Sequence, residues 1–412
     1  MKKLFYALVA VVMVCVTSCS NDDDVTKNYA LNVTLNLPEG VTIDAITEGS
    51  VIATNTSTGR EYKQNEIKTS YEFSVPGGIY DINVSLRSNK GTEILAYNGA
   101  QLGVEAFEDT NVNIDLNEST AGGLIFSEVY YNMVKPNGKS PYMRDQFIEI
   151  YNNSDEVLYL DNCIVGILEG NQGTVPSVWV DENGELMKKY PVTYYTVAFV
   201  GDGKKYPVNP GQAIVIASQA QNHIQITTDM FDPENPAAKI SPVNLENADY
   251  EVCLTDYKPD QALDNPNVPN MDIIAHYGTQ NYFTLPYTGQ PIILAKLPED
   301  PYKFAENEDN YMYNPKYPTV GPYLMIHQEY VLDGINIVNN ADKINQQVIR
   351  LRPEVDAGKI YNEASYCGLA IRRKVVEVTS DGRAIMSDTN NSTEDFIPNV
   401  VPTPGVIPSI VD

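Results

Sequence analysis

Apolar residues in the first third of this chain recur at every second position. Tyr29, Leu31, Val33, Leu35 and Leu37 alternate with Ala30, Asn32, Thr34 and Asn36, the period of a strand with one buried face. The pattern returns at Tyr71, Phe73 and Val75, and again at Tyr80, Ile82, Val84 and Leu86. Pro76-Gly77-Gly78 between these two runs predicts a hairpin turn. Val112, Ile114 and Leu116 close the set, and a loosely patterned stretch from Asn117 to Gly123 predicts a boundary. No helical period intervenes, so residues 29–119 are expected to form a small β-sandwich.

From Leu124 the apolar runs become continuous, as in strands buried on both faces. Leu124-Ile125-Phe126-Ser127-Glu128-Val129 and Phe147-Ile148-Glu149-Ile150-Tyr151 are two such runs, the second leading into Asn152-Asn153. Glu149 is a carboxylate in an apolar strand, and it demands hydrogen-bond partners if it points inward. Pro210-Gly211-Gln212 introduces Ala213-Ile214-Val215-Ile216-Ala217, for which Ala248 to Leu254 is the expected partner. Gly289 to Ala295 echoes that run and hints at an enlarged sheet, and Asp381-Gly382 signals a two-residue hairpin. The whole is an all-β chain, with two β-sandwich domains in tandem. The second spans 122–405, with insertions near 168–206 and 256–345.

The beginning of the chain follows another logic. Lys2 and Lys3 precede an apolar run from Leu4 to Val16, too short for a bilayer-spanning helix, and Val16-Thr17-Ser18 lead to Cys19. This resembles a bacterial lipoprotein signal peptide (1–18) with Cys19 as the lipid-bearing residue of the processed chain. Residues 19–28 then read as an acidic, flexible tether. Its Ser20-Asn21-Asp22-Asp23-Asp24 resembles the export tag of Bacteroidota-type lipoproteins. That resemblance implies an outer-membrane, lipid-anchored, cell-surface location.

Charge narrows the partners. The formal net charge is −26, and removing Lys2 and Lys3 leaves 26 basic against 54 acidic side chains, a net of −28. Such a field repels phosphate backbones and argues against nucleic-acid binding. Cys163, Cys253 and Cys367 are widely spaced and odd in number. They fit one disulfide with a buried thiol or three buried thiols.

Few residues advertise chemistry. Nucleophile-elbow, zinc-protease, P-loop and dinucleotide motifs are all missing from the sequence. His223, His276 and His327 lie far apart, and a metal site would need His276 or His327 to meet carboxylates such as Asp309 in the fold. Calcium, which takes oxygen ligands, has two candidate loops. One carries Glu299, Asp300, Glu306, Glu308 and Asp309, and the other Asp388, Glu394 and Asp395. Neither has EF-hand spacing, and Asn390-Asn391-Ser392-Thr393 equally suits a capping turn. Recognition is suggested by aromatic residues in the insertions: Trp179 in the first, with Tyr302, Tyr311, Tyr313, Tyr317 and Tyr323 in the second. Tyrosine pairs a flat apolar face with a polar tip, which suits interfaces. The alternative is that these rings cover an enlarged sheet.

Two further resemblances concern fold. The Phe73-to-Leu86 segment with its Pro-Gly-Gly-Ile-Tyr centre resembles transthyretin-like modules, which act as spacers. The Ser-Glu-Val strand, the Phe-Ile-Glu-Ile-Tyr-Asn strand, the Pro-Gly turn, Asp395-Phe396 and Thr403-Pro404-Gly405 resemble the lamin-tail domain, an immunoglobulin-like sandwich. Together they resemble an uncharacterised Bacteroidota surface-lipoprotein family. The expectation is a non-enzymatic, surface-tethered binding module. It would take a glycan, peptide, haem or metal beside a TonB-dependent outer-membrane transporter. An adhesin and, less favoured, a secreted hydrolase are the alternatives.

Overall fold

A computed structural model describes residues 27–90, 93–121, 123–136, 138, 140–170, 177–228, 242–259, 263–278, 282–285, 287–343 and 349–412. The predicted signal segment, Cys19 and the Ser20–Asp24 tag lie outside the described residues. The fold is all-β and built of several sheets, with three short α-helices among the described residues.

The first sandwich uses β1 (Asn28–Asn36), β2 (Glu48–Asn55), β3 (Glu61–Gln64), β4 (Ser70–Pro76), β5 (Gly78–Lys90), β6 (Glu93–Ala106), β7 (Thr110–Asp115) and β8 (Asn117–Ala121). One sheet runs β4-β1-β7 and the other β3-β2-β5-β6-β8. The alternating residues meet between them: Leu31, Val33, Phe73, Val75 and Ile114 face Val51, Ile82, Val84 and Leu86 in one core. Two expectations change. The Pro76-Gly77-Gly78 link is a corner and not a hairpin, because β4 and β5 belong to different sheets. Side chains there would collide: a Cβ on Gly77 would lie 3.2 Å from the Tyr29 ring, and one on Gly78 2.6 Å from the Asn55 amide. The stretch read as a boundary contributes β8, which pairs with β6 from Asn117 to Ala121.

The second body has seventeen strands among the described residues. They are β9 (Leu124–Asn132), β10 (Phe147–Asn152), β11 (Leu158–Tyr159), β12 (Cys163–Leu168), β13 (Lys189–Ala198), β14 (Pro207–Val208), β15 (Ala213–Ala217) and β16 (Tyr250–Glu251). Then follow β17 (Asp272–His276), β18 (Ile292–Lys296), β19 (Tyr311–Met312), β20 (Tyr323–His327), β21 (Val331–Ile335), β22 (Leu369–Arg373), β23 (Val375–Val378), β24 (Ala384–Met386) and β25 (Phe396–Val400). One sheet has the order β16-β15-β10-β9-β22-β25. The other runs β19-β20-β13-β12-β18-β21, with β17 on β13. Phe126, Ile148, Ile214 and Ile371 of the first sheet pack on Val165, Val197, Leu294 and Ile335 of the second. The stretches read as insertions thus supply β13 and β17 to β21, and enlarge this sheet. Its outer face is covered as well, by Phe304 of helix α2 (Pro301–Glu306), Leu351 and Val355. Burial on both faces is why β12 and β18 read as unbroken apolar runs. The hairpin expected at Asp381-Gly382 forms between β23 and β24. Thr379 pairs with Arg383, so three residues close the loop and Gly382 takes φ 88°. The three cysteines are unpaired thiols.

Two polar devices hold this body together. Arg373 in β22 is only 1% exposed and binds across the sandwich. Its Nε donates to the Phe126 carbonyl at 2.8 Å, Nη1 to the Ser387 carbonyl at 2.8 Å, and Nη2 to Asp333 at 2.5 Å. Asp388 and Asp395 lie at 3.3 and 3.5 Å, and the Phe396 ring lies under the guanidinium at 4.6 Å. Burial alone pulls the guanidinium pKa down, but the three carboxylates outweigh it and hold the value above the ordinary one. Burial likewise lifts the Asp333 carboxyl to about 6, with Arg373 opposing.

The second device is Glu149, which faces away from the core that Ile148 and Ile150 enter, yet is buried under the Thr403–Gly405 segment and has the partners it requires. Ser127 Oγ donates to it at 2.6 Å and the Gly405 N–H at 2.7 Å. Glu128, its cross-strand neighbour, accepts from the Thr403 N–H at 2.9 Å and hydroxyl at 3.1 Å. Two buried carboxylates therefore clasp the Thr403-Pro404-Gly405 segment. Burial, with the nearby Glu149 charge adding to it, raises the Glu128 carboxyl to about 7. Between the sandwiches lie Lys63–Glu394 at 2.8 Å, Ser85 to the Thr389 carbonyl at 3.3 Å, and Arg87 on the Asp388 carbonyl.

Arg373→Met leaves three carboxylates facing an apolar side chain. It is expected to lower unfolding free energy by about 3–5 kcal/mol, read as a shift of the urea midpoint. Half-buried Arg372, joined to Asp412 by two hydrogen bonds, should cost less, about 1–2 kcal/mol, when changed to Met.

The clasp gives a pH dependence of definite sign. A carboxyl raised from 4.5 to about 7 keeps a proton that the unfolded chain has released, so its stabilisation is complete below the lower value. That contribution is lost as pH rises through the upper one, and amounts to at most about 3 kcal/mol. Glu128→Gln should therefore match wild type near pH ~5 and gain on it by pH ~8 in urea titrations. Equal slopes for both proteins would remove Glu128 as the titrating group.

Candidate functional site

A cleft of about 810 Å³ opens at one end of the enlarged sheet. Glu169 and Gly170 follow β12, Thr193 and Tyr194 come from β13, and Tyr287 to Gln290 precede β18. Tyr323 of β20, the loop carrying Asn314, Lys316, Tyr317 and Val320, and Arg350 complete the wall. Four tyrosines and few aliphatic side chains line it.

Tyr317 stands at the tip of the loop between β19 and β20. Buried Asn314 shapes that loop, accepting from the N–H groups of Lys316 at 3.0 Å and Tyr317 at 2.9 Å. The Val320 N–H returns to the Tyr317 carbonyl at 2.8 Å, leaving the ring 52% exposed. Opposite it, Tyr194 has φ 53°, the left-handed region, where a bulky residue is strained by about 1–3 kcal/mol. The cause is a bulge: Val165 and Ile167 of β12 pair with Val197 and Thr193 of β13, two steps against four. Tyr194 is held by the Tyr277 N–H on its carbonyl at 2.6 Å, and burial, with Gln290 opposing, raises its pKa. Gln290 in turn donates to the Leu168 carbonyl at 3.2 Å.

Glu169 forms part of the wall and accepts from Trp179 Nε1 at 2.6 Å. The indole stands edge-on to Tyr323, centroids 5.7 Å apart, over Met325. Trp179, the chain's single tryptophan, thus touches two residues of the cleft wall from behind while being 4% exposed itself. Burial lowers the Arg350 pKa, opposed by Glu169.

The sequence candidates divide. Tyr317 and Tyr323 come together in the cleft, with Trp179 as support. Tyr302 lies on another face, donating to Asp272 at 2.9 Å. Tyr311 donates to the Ala305 carbonyl at 2.8 Å and packs on the outer core, and Tyr313 is exposed. His276 stacks on Tyr195 and meets Tyr257 edge-on, whereas His327 pairs with Glu329 at 3.4 Å. Asp309 sits in a 3-10 turn capped by Asn307. Of the loops weighed for calcium, Asp300 caps α2, and Asp388 and Asp395 attend Arg373. Asn391 caps the helix α3 (Ser392–Asp395). Among the described residues, no three histidine, cysteine or acidic groups converge as a metal site would require. Tyr287, Glu169, Gln290 and Arg350 were not singled out from sequence. Their one signal is position, since they flank strands that pair only in the fold.

Residues 209–403 match a family model described as a protein of unknown function, DUF4876. The chain is also similar to a solved structure, the crystal structure of a DUF4876 family protein from Bacteroides thetaiotaomicron. Identity is 26% and the TM-score 0.57, with 93% of this chain and 99% of that one covered. These similarities fit an uncharacterised Bacteroidota-type family. Among curated proteins no match is found.

Two of the four cleft tyrosines, Tyr317 and Tyr323, should separate in stability measurements. Tyr317→Ala removes an exposed ring and is expected to change unfolding free energy by less than about 0.5 kcal/mol. Tyr323→Ala empties the space beneath Trp179 and should cost about 3 kcal/mol, with a shift in tryptophan emission. Comparable losses would show that Tyr317 packs like a core residue.

Proposed function

We propose that this chain is a non-enzymatic, surface-tethered binding protein whose ligand enters the tyrosine-lined cleft. The observation that carries the reading is Tyr194, kept in a strained backbone conformation in the wall of an open cleft that it shares with the exposed Tyr317. Strain of this kind persists where surrounding structure over-determines it, and it clusters at ligand sites. The lipobox ending in Cys19 and the acidic tag after it support anchoring at the outer face of the outer membrane. Such an address suits an accessory to nutrient uptake through a TonB-dependent transporter. The Glu128–Glu149 clasp on Thr403-Pro404-Gly405 supports the lamin-tail-like reading of the second body, since it joins the segments on which that likeness rests.

Trp179 provides the assay. Purified full chain, titrated with glycans, peptides, haem and metal salts, should show a saturable change in tryptophan emission with one class. Tyr317→Ala should weaken that response. The same protein on intact cells should react with a membrane-impermeant label. Silence across all four classes, or undiminished binding by the variant, would refute the cleft. A protein labelled only after envelope rupture would refute the address.

A further inference from the structure

Resting on the reading of the cleft as the binding site, we infer that its ligand is a chain of neutral sugar rings. The lining combines ring faces with hydrogen-bonding groups, most of them uncharged beside Glu169, Lys316 and Arg350. Tyr194, Tyr287, Tyr317 and Tyr323 supply the rings, and Thr193, Thr288, Gln290 and Asn314 the amides and hydroxyls. A pyranose has that same duality: its axial C–H bonds form an apolar patch that stacks on an aromatic face, and its rim carries hydroxyls that both donate and accept. A rigid tyrosine face binds such a patch at small entropic cost.

Other ligand classes fit less well. Among the described residues, Val178 and Val320 are the aliphatic side chains in the wall, too little for the continuous apolar surface that a porphyrin or an acyl chain buries. An extended peptide is commonly held by an unpaired strand edge. Here β13 and β20 are paired with each other, and β20 with β19. A polyanion meets the field of a chain with net charge −26. Within the wall one carboxylate, Glu169, stands against two cations, Lys316 and Arg350, so an acidic polymer is disfavoured by the overall field alone. The volume of about 810 Å³ falls toward the upper part of the range for small-molecule clefts, roughly 300–1,000 Å³, which favours a short chain over a lone ring.

The distortion at Tyr194 is a second, independent sign. The bulge in β13 sets this residue in the same wall as Tyr287, Glu169 and Gln290. Stacking demands fixed faces, and a half-buried ring whose backbone is held by the bulge and by Tyr277 is set in place before any ligand arrives.

The test uses the full chain, purified in a detergent that has no sugar head group. Maltohexaose, cellohexaose and mannohexaose are titrated against it, with polygalacturonate and a tryptic peptide mixture as the other arms. Tryptophan emission and calorimetry are both read. At least one neutral hexaose is expected to bind, and Tyr317→Ala to weaken it by about tenfold or more. Tyr313→Ala, an exposed tyrosine outside the cleft wall, should bind as wild type does. No response to any neutral hexaose would overturn the inference, as would equal affinity in Tyr317→Ala. Binding of the peptides or the uronate polymer in place of neutral sugars, abolished in Tyr317→Ala, would overturn the sugar assignment while leaving the cleft as the binding site.

Discussion

The second body depends on one buried cation. Arg373 is the point at which β9, β21, β22 and the turn after β24 meet, and it satisfies backbone carbonyls from two of them while balancing Asp333. Asp333 also accepts the Phe126 N–H at 2.7 Å, so guanidinium and carboxylate together stitch one sheet to the other. A buried charge is tolerated only when it is paired and hydrogen-bonded. The consequence is directional: the apolar core between the sheets would accept many packings, whereas five hydrogen-bonding groups around one planar fork accept few. Specificity of register is thus placed at Arg373, and bulk stability in the isoleucines and valines around it.

The cleft inherits its geometry from that register. Glu169, Tyr194 and Tyr323 sit on or just beyond strands whose neighbours are fixed by pairing, whereas Tyr287 is carried by a turn and Tyr317 by a loop. Sites built on strands are more exact than sites on loops. Behind them Trp179 fills the space under Tyr323 and holds Glu169 by its indole N–H.

Much of this was legible in the residues. The alternation at Leu31, Val33 and Leu35 marks buried positions because period two has a single geometric meaning in a sheet. Glu149 announced a need for partners, and the fold provides Ser127 and Gly405. Sheet membership was not legible. Pro76-Gly77-Gly78 reads alike whether the chain turns back beside itself or crosses to the opposing layer, and only non-local packing decides. The tyrosines were visible as a composition, yet their division between the cleft and other faces follows from the pairing of β13 with β20, partners some 138 positions apart. Nothing in the letters around Tyr194 signals a positive φ, for a tyrosine there is disfavoured by its own sterics and imposed by its neighbours.

The clasp on Thr403 to Gly405 has a bearing on how the molecule is made. Glu128 waits for a partner 275 positions later, and β9 is flanked on one side by β22, so the sandwich stays unfinished until those late residues arrive. Long-range closure of this kind slows folding. Any nascent chain that stops short of Thr403 leaves both Glu128 and Glu149 without the backbone N–H groups that close over them, so the second body locks only after its first two long strands have waited for a distant segment.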